Sequence, residues 1–238
     1  MSKVKALESL SVFFPVYNEA ENLPLLVKRA ERYIPSLTKK YELIIINDGS
    51  TDRSQQIATQ LIKGKKHWRL INHPRNLGYG EVLKTGIKTS RYAWIFWTDG
   101  DLQFSLAELK RFINYTNDYQ AIIGYRRHRA EGLKRSLASS LFKIYIDLLF
   151  RIHVKDIDCA FKLIKADLLK KLTLNSGSAF TSSEILYRLK KQGVVFKELA
   201  VNHYPRRHGQ ATGNQPQVII KACWEAFTGY LNIKFPLK

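Results

Sequence analysis

A doubly wound α/β fold with a mostly parallel sheet is what this sequence predicts, and two observations carry that expectation. Short apolar runs recur through the first 125 residues, and such runs read as strands buried on both faces of a parallel sheet. Between them lie stretches whose apolar residues fall at helical spacing. Repeated βα units of this length bind their ligands in the crevice at the carboxyl ends of the strands.

The elements follow in order. Leu10–Phe14, Leu43–Ile46, Trp68–Ile71, Tyr92–Trp97 and Ala121–Ile123 are the strand-like runs. Glu21–Leu37 places Leu23, Leu26, Val27, Ala30 and Ile34 on one helical face. Asp52–Ile62 follows the turn residues Asp48, Gly49 and Ser50, with Asp52 or Ser50 as N-cap. Gly80–Thr89 and Ser105–Thr116 complete the first series. Beyond Gly124 the pattern changes to a basic loop, Arg126–Arg135, and a long amphipathic helix, Leu137–Ile152. A strand-like Asp156–Ile164, a helix Ser183–Gln192, an alternating Val194–Val201, a loop His203–Pro216 and an apolar helix Val218–Ile233 follow. One catalytic domain over 1–238 is expected, with a nucleotide-sugar half at 10–125, an acceptor half at 126–216 and the apolar helix within 217–238.

Composition narrows the class. The chain has 238 residues, 45% hydrophobic, enough for a sizeable core. Its 39 Lys and Arg against 20 Asp and Glu give a net charge of +19. That leaves three acidic partners open: nucleic acid, an anionic membrane surface, or phosphorylated small molecules. Cys159 and Cys223 are too few for a disulfide framework and show no zinc spacing, so a reducing, cytoplasmic setting is expected. Met1–Leu10 lacks the apolar stretch of a signal peptide. No apolar run reaches the length of a spanning helix.

Four loops carry the chemistry. Thr98-Asp99-Gly100-Asp101-Leu102-Gln103 follows the strand-like Tyr92–Trp97, so both carboxylates stand at a strand's carboxyl end. Two Asp at i and i+2 can share one hard divalent ion, and Gln103 can add an amide oxygen. Alternatively, the Asp residues simply cap the next helix. Asn47-Asp48-Gly49-Ser50-Thr51-Asp52 offers Asp48 as acceptor for a base's ring N–H, or is an ordinary strand-turn-helix. In Pro15–Asn22, Tyr17 can stack on a base and Glu19 can bind a ribose hydroxyl. Asn76-Leu77-Gly78-Tyr79-Gly80 has glycines that allow close approach to a ligand.

In this order the loops resemble glycosyltransferase family two, with the GT-A type (nucleotide-diphospho-sugar transferase) fold, and within it the polyprenyl-phosphate or dolichyl-phosphate mannose synthase group. The matching stretches are PVYNEAEN, INDGSTD, RNLGYG, TDGDLQ, IGYRR, DCAFKL and HYPRRHGQATG, from about Ser11 to Gly213. The resemblance implies an inverting, metal-dependent transfer of mannose or glucose from GDP-mannose or UDP-glucose to a polyprenyl phosphate, with Mg²⁺ or Mn²⁺. It further implies that Pro15, Tyr17, Glu19, Ile46 and Asp48 hold the nucleoside. Asp99, Gly100, Asp101 and Gln103 would take the donor diphosphate and metal, with Asp101 catalytic. Arg126 and Arg135, both counted catalytic, and Ser139 would receive the acceptor phosphate. Lys162 and Arg206 or Arg207 would close over the donor phosphates. The Arg126–Arg135 loop is shorter than in the better-known members.

A phosphomonoester acceptor, largely dianionic at pH 7, is already a nucleophile and needs no protein base. Relatives that glycosylate hydroxyls often carry a Glu-Asp pair before the acceptor helix; here Phe180-Thr181-Ser182-Ser183-Glu184 lacks it. Metal and cations would then stabilise charge on the leaving diphosphate. Arg126, with Arg127 and Arg129, also reads as a solvated basic loop. Asp156 and Asp158 read as acceptor-side or structural, Cys159 as a buried thiol, and His203 and His208 as loop histidines.

The stripe on Leu137–Ile152 is wider than a surface helix needs, and suits either a helix lying in the headgroup plane or one packed on both sides. Val218–Ile233, with Trp224, Phe227, Tyr230 and the following Phe235, is a second interfacial or oligomer-forming candidate. A peripheral protein at the cytosolic face of a membrane, with or without a membrane subunit, is the expectation. The alternatives are a transferase acting on a hydroxyl, with Glu184 or Asp158 as base, and a nucleic-acid-binding module. The last lacks any recognised motif, so no nucleic-acid partner is expected.

Overall fold

The computed structural model describes residues 6–127, 133–209 and 216–234, without the side chains of 133–139, 216, 233 and 234. One seven-stranded sheet runs in the order β3-β2-β1-β4-β6-β5-β7. Its strands are β1 (Leu7–Val16), β2 (Thr38–Asn47), β3 (Trp68–Asn72), β4 (Trp94–Trp97), β5 (Ala121–Arg126), β6 (Lys162–Lys165) and β7 (Phe196–Val201). All pairings are parallel except those of β6, which lies antiparallel to both β4 and β5. The main helices are α1 (Leu23–Tyr33), α2 (Ser54–Ile62), α3 (Tyr79–Thr89), α4 (Leu109–Ile113), α5 (Leu133–Phe150), α6 (Ala166–Lys170), α7 (Phe180–Lys191) and α8 (Pro216–Lys234).

Alternation along β1 explains the two-sided winding. Leu10, Val12, Phe14 and Val16 enter the layer beneath α1, α2 and α4, whereas Phe13 enters the opposite one with Val82, Leu83 and Ile185. β2 repeats this, with Leu43 and Ile45 on one side and Ile44 and Ile46 on the other. A third cluster lies under α5, α7 and α8, built on Ile146, Phe150, Phe180, Leu186, Ala222 and Ala226.

Several elements differ from the expectation for identifiable reasons. β2 begins well before Leu43 because the buried Glu42 is satisfied: Ser11 Oγ donates at 2.7 Å, Arg91 N–H at 2.6 Å and Arg69 at 2.8 Å. α1 stops at Tyr33 and the chain tightens into a 3₁₀ turn, Ile34–Ser36, since Pro35 has no N–H and collides with the preceding turn. The expected helix at 105–116 is a 3₁₀ turn, Leu106–Glu108, followed by the short α4. The α2 N-cap position is held by Arg53, and Asp52 Oδ1 instead accepts the Ser54 N–H at 2.8 Å. Of 156–164, only the end joins β6, and α6 was not anticipated.

Candidate functional site

Because β2, β1 and β4 are adjacent and parallel, the loops that leave their carboxyl ends lie side by side. Backbone bonds lock them: Asp48 N–H donates to Val16 O at 2.9 Å and Gly100 N–H to Pro15 O at 3.1 Å. A Cβ on Gly100 would sit 2.9 Å from Val16 Cγ2 and 3.0 Å from Pro15 O. Gly49, at φ +63°, lies under the loop after β3, and a Cβ there would fall 2.2 Å from the Arg75 carbonyl carbon. Only glycine permits that approach.

Asp48 secures the same loop. Its Oδ1 meets the His73 ring Nδ1 at 2.7 Å and accepts from Leu77 N–H at 3.0 Å, and Oδ2 accepts from Gly78 N–H at 2.9 Å. His73 Nε2 meets Thr85 Oγ1 at 2.9 Å. Three lone-pair sites of Asp48 are thus already used, leaving room for one further donor on Oδ2. Asn18, at φ +55°, gathers Thr51 N–H at 2.8 Å and Asp52 N–H at 3.3 Å on its side-chain oxygen, tying the β1 loop to the β2 loop.

The acidic centre stands after β4. Asp101 Oδ1 accepts the Gln103 N–H at 3.1 Å, and Asp101 Oδ2 faces Arg206 at 3.4 Å. Arg206 also donates to Glu19, which accepts from Asn22 Nδ2 at 2.5 Å. Burial pushes the Glu19 carboxyl up to about 7, opposed by the Arg206 charge and the Asn22 bond and reinforced by Asp101. The Tyr79 phenol neighbours Asp99; burial, and next the Asp101 charge, push the Asp99 carboxyl up. Desolvation and the neighbouring Asp99 hold the Tyr79 phenol well above its ordinary range. Asp99 Oδ1 and Thr98 Oγ1 are sealed from solvent with no hydrogen-bond partner. A buried carboxylate oxygen without a donor is costly, and it suits a cation. Among the described residues, no three His, Cys, Asp or Glu side chains cluster as a metal cage.

The segment after β7 lies over this centre. Tyr204 N–H donates to Gln103 O at 2.8 Å, Gln103 Nε2 returns a bond to Tyr204 O at 3.1 Å, and Arg206 Nε reaches His208 O at 2.9 Å. Arg206 turns into the site, whereas Arg207 is exposed. Gln103 therefore joins two loops through its amide N–H.

Other expected residues sit differently. Tyr17 is half-buried at the start of its loop and Pro15 is buried beside Gly100. Ile46, expected at the nucleoside, has its side chain wholly in the core layer with Phe13 and Trp97. Lys162, expected over the donor phosphates, is fully buried, and its ammonium donates to Ile157 O at 3.2 Å, to Cys159 O and to Ser182 Oγ at 3.1 Å. An ammonium has three donors, so none is left for a phosphate. Burial lowers the Lys162 pKa and pushes the neighbouring Cys159 thiol up to about 12.

Arg126, expected to receive the acceptor phosphate, is bidentate on Asp156, with Nε and NH2 at 2.6 and 2.7 Å. Both side chains are buried, and that pairing raises the Arg126 pKa against the opposing pull of desolvation. The side chains of Arg135 and Ser139 lie outside those described. Glu184 accepts from Asn175 N–H at 3.1 Å, Ser176 N–H at 3.0 Å, Ser176 Oγ at 2.5 Å and Arg188 Nε at 2.8 Å. Although burial opposes them, these bonds hold its carboxyl below the ordinary range. Such a group is a loop anchor with no lone pair aimed at an acceptor hydroxyl. Sequence reasoning missed Tyr79 and His73; the available signal for Tyr79 was its place between two glycines at a helix start.

The sequence profile described as Glycosyl transferase family 2 matches residues 11–173. An undecaprenyl-phosphate 4-deoxy-4-formamido-L-arabinose transferase of Yersinia enterocolitica is 26% identical over 213 residues, 89% of this chain and 64% of that protein. A dolichyl-phosphate beta-glucosyltransferase of Dictyostelium discoideum is 30% identical over 214 residues, 81% of this chain and 65% of that protein. This chain thus spans slightly less than two thirds of the length of these curated relatives. Among solved structures, glucosyl-3-phosphoglycerate synthase of Mycobacterium tuberculosis with Mn²⁺, uridine-diphosphate and glucosyl-3-phosphoglycerate superposes with a TM-score of 0.72 at 15% identity, over 97% of this chain and 81% of that one. The shared architecture is the GT-A fold.

Proposed function

Since this chain belongs to glycosyl transferase family 2, we propose that it is an inverting hexosyltransferase that moves mannose or glucose from a nucleotide-diphospho-sugar to a polyprenyl phosphate. The observation that carries the reading is the unpartnered, buried Oδ1 of Asp99 beside Asp101 at the mouth of the parallel strands. Support for the acceptor comes from the relatives, whose names specify undecaprenyl and dolichyl phosphates with different sugars. Support for a divalent cation comes from the Mn²⁺ and Mg²⁺ bound in the superposable synthase.

Asp99 and Asp101 would hold that cation, leaving other positions for phosphate oxygens and water. When bound, Mg²⁺ or Mn²⁺ supplies Lewis-acid stabilisation of the departing diphosphate. The Tyr79 phenol lies beside the Asp99 carboxylate. Arg206 supplies a second positive charge at the place where the diphosphate accumulates negative charge. Asp48 and the loop it secures, with Tyr17, form the nucleoside end. An acceptor phosphate oxygen attacks the anomeric carbon from the opposite side, the sugar–oxygen bond to the diphosphate breaks with its electron pair, and configuration inverts. The nucleophile is already anionic, in keeping with a site where Glu184 is wholly engaged as a loop anchor. Arg126 contributes field rather than an open fork, because two of its N–H groups stay on Asp156. The protein would work at the cytosolic surface of a membrane.

The test is direct: incubate the chain with Mg²⁺ or Mn²⁺, polyprenyl phosphate and labelled GDP-mannose or UDP-glucose. Label in the organic phase with one donor is the expected result; none with either donor overturns the reading.

A further inference from the structure

Among the described residues, the large hydrophobic side chains left exposed are concentrated on two helices. Of nine such residues, seven belong to α5 or α8. On α5 these include Leu141, Ile144 and Leu148, the last 77% exposed; on α8 they include Ile220, Trp224 and Phe227, with Trp224 65% exposed. The two sets meet. Tyr145 Oη donates to Cys223 O at 3.1 Å. Tyr145 is one turn from Leu141 and Leu148, and Cys223 one turn from Ile220 and Phe227, so the stripes flank one seam. The inward faces are already used, Ile146 and Phe150 of α5 and Ala222 and Ala226 of α8 being buried in the core.

Charge chooses the occupant. The two helices carry five basic residues and two acids, Asp147 and Glu225. Asp147 is neutralised by Lys143 at 2.5 Å and accepts His153 N–H at 3.0 Å. Glu225 turns inward onto Gly177 and Ser178 N–H at 3.1 and 3.0 Å. Lys221 is exposed beside the stripe. An apolar face with the exposed Lys221 at its edge and both acids paired or withdrawn, on a chain of net charge +19, fits an anionic interface. A second copy of a chain with +19 charge would bring like charge against like charge.

Glu225 also connects this face to the site. The Gly177 backbone that it holds packs against Gly80, where a Cβ would lie 2.5 Å from the Gly177 carbonyl carbon, and Gly80 adjoins Tyr79, the neighbour of Asp99.

We propose that the joint α5–α8 face is a docking surface for an anionic lipid bilayer, with Leu148, Ile144, Ile220 and Trp224 inserted among the acyl chains and Lys221 at headgroup level. This deepens the lipid-acceptor reading and rests on it for its purpose. The test is separate, since the vesicles used contain no polyprenyl phosphate and no donor.

The full chain is mixed with vesicles of phosphatidylcholine and phosphatidylglycerol, some carrying brominated acyl chains. Trp68, Trp94 and Trp97 are buried, so quenching reports Trp224. Expected are co-sedimentation, quenching of Trp224, and at least about tenfold weaker binding by the Leu148→Glu/Trp224→Glu variant, with an unchanged circular dichroism spectrum. Equal binding by a folded variant overturns the proposal. So does the absence of vesicle binding by the unaltered chain, including the case where it is a dimer that the variant splits. For a variant that does not fold, Leu148→Ser and Trp224→Ser replace the glutamates under the same criteria.

Discussion

Arg206 pairs with Glu19 across 187 residues of sequence and faces Asp101 at 3.4 Å, so one guanidinium bridges the loops after β1 and β4. The neighbouring Arg207 points to solvent. Arg206→Ala is expected to lower kcat/KM for the nucleotide-sugar by roughly 10²–10³-fold, the effect of removing a charge-stabilising donor. Arg207→Ala should stay within about threefold of the unaltered chain, because a solvent-exposed charge is screened. Comparable losses in steady-state assays would contradict the distinct placements.

The acidic centre predicts a metal-binding phenotype separable from turnover. Asp99→Asn and Asp101→Asn should each weaken Mn²⁺ binding by about tenfold or more, read by electron paramagnetic resonance of free Mn²⁺ without donor. Tyr79→Phe should weaken it less, since it removes a neighbouring hydroxyl and no carboxylate. Unchanged Mn²⁺ affinity in both Asp variants would remove the assignment.

Glu19 gives a pH dependence with a definite sign. Its carboxyl is raised from 4.5 to about 7 in the folded chain, so between those values the folded state holds more protons than the unfolded state. Stability from this group is therefore greatest below the unfolded value and falls as pH rises through about 7. The melting temperature of the metal-free chain should carry a declining component from pH 5 to 8, and Glu19→Gln should flatten it. An identical slope in thermal scans of the two proteins would show that Glu19 is not the source.

Two buried cations should act on stability before chemistry. Arg126→Ala removes the bidentate guanidinium from the buried Asp156 carboxylate, with an expected loss of about 3–5 kcal/mol in urea unfolding. Lys162→Ala removes the ammonium from the Cys159 carbonyl and leaves Ile157 O with Ser182 Oγ alone, at a cost on the order of 1–3 kcal/mol. A Lys162 variant with unchanged unfolding midpoint but a raised KM for donor would restore the phosphate role that its geometry denies.

Glu184→Gln discriminates the acceptor classes. As an anchor of Asn175 and Ser176, its loss should lower the melting temperature by several degrees, equivalent to about 1–3 kcal/mol. Activity per folded molecule should remain within about threefold. A fall of about 10²-fold or more at unchanged KM is the behaviour of a general base.

Much of this molecule was legible in one dimension. Apolar runs such as 43–46 and 94–97 announce buried strands because both faces of a parallel sheet are covered. The position of Asp48, Asp99 and Asp101 just after such runs then places them at one sheet edge. Element ends were less legible: Glu42 reads as a strand terminator until its three donors, drawn from Ser11, Arg69 and Arg91, are brought together. Helix α6 and the antiparallel strand β6 likewise depend on the slot left between β4 and β5.

Residue type and order alone determined the α/β class, the family and the carboxylates available for a cation. Tertiary structure alone decided which cations face the site. Lys162, Arg126 and Arg206 look equivalent as basic residues in a basic chain, but the fold gives each a different set of partners. Lys162 spends its three donors on carbonyls and a hydroxyl, Arg126 meets Asp156, and Arg206 is carried over Glu19 and Asp101 by the segment after β7. The reason is physical: a charge becomes a ligand or a strut only through the groups that desolvate and pair with it, and the fold brings those groups together.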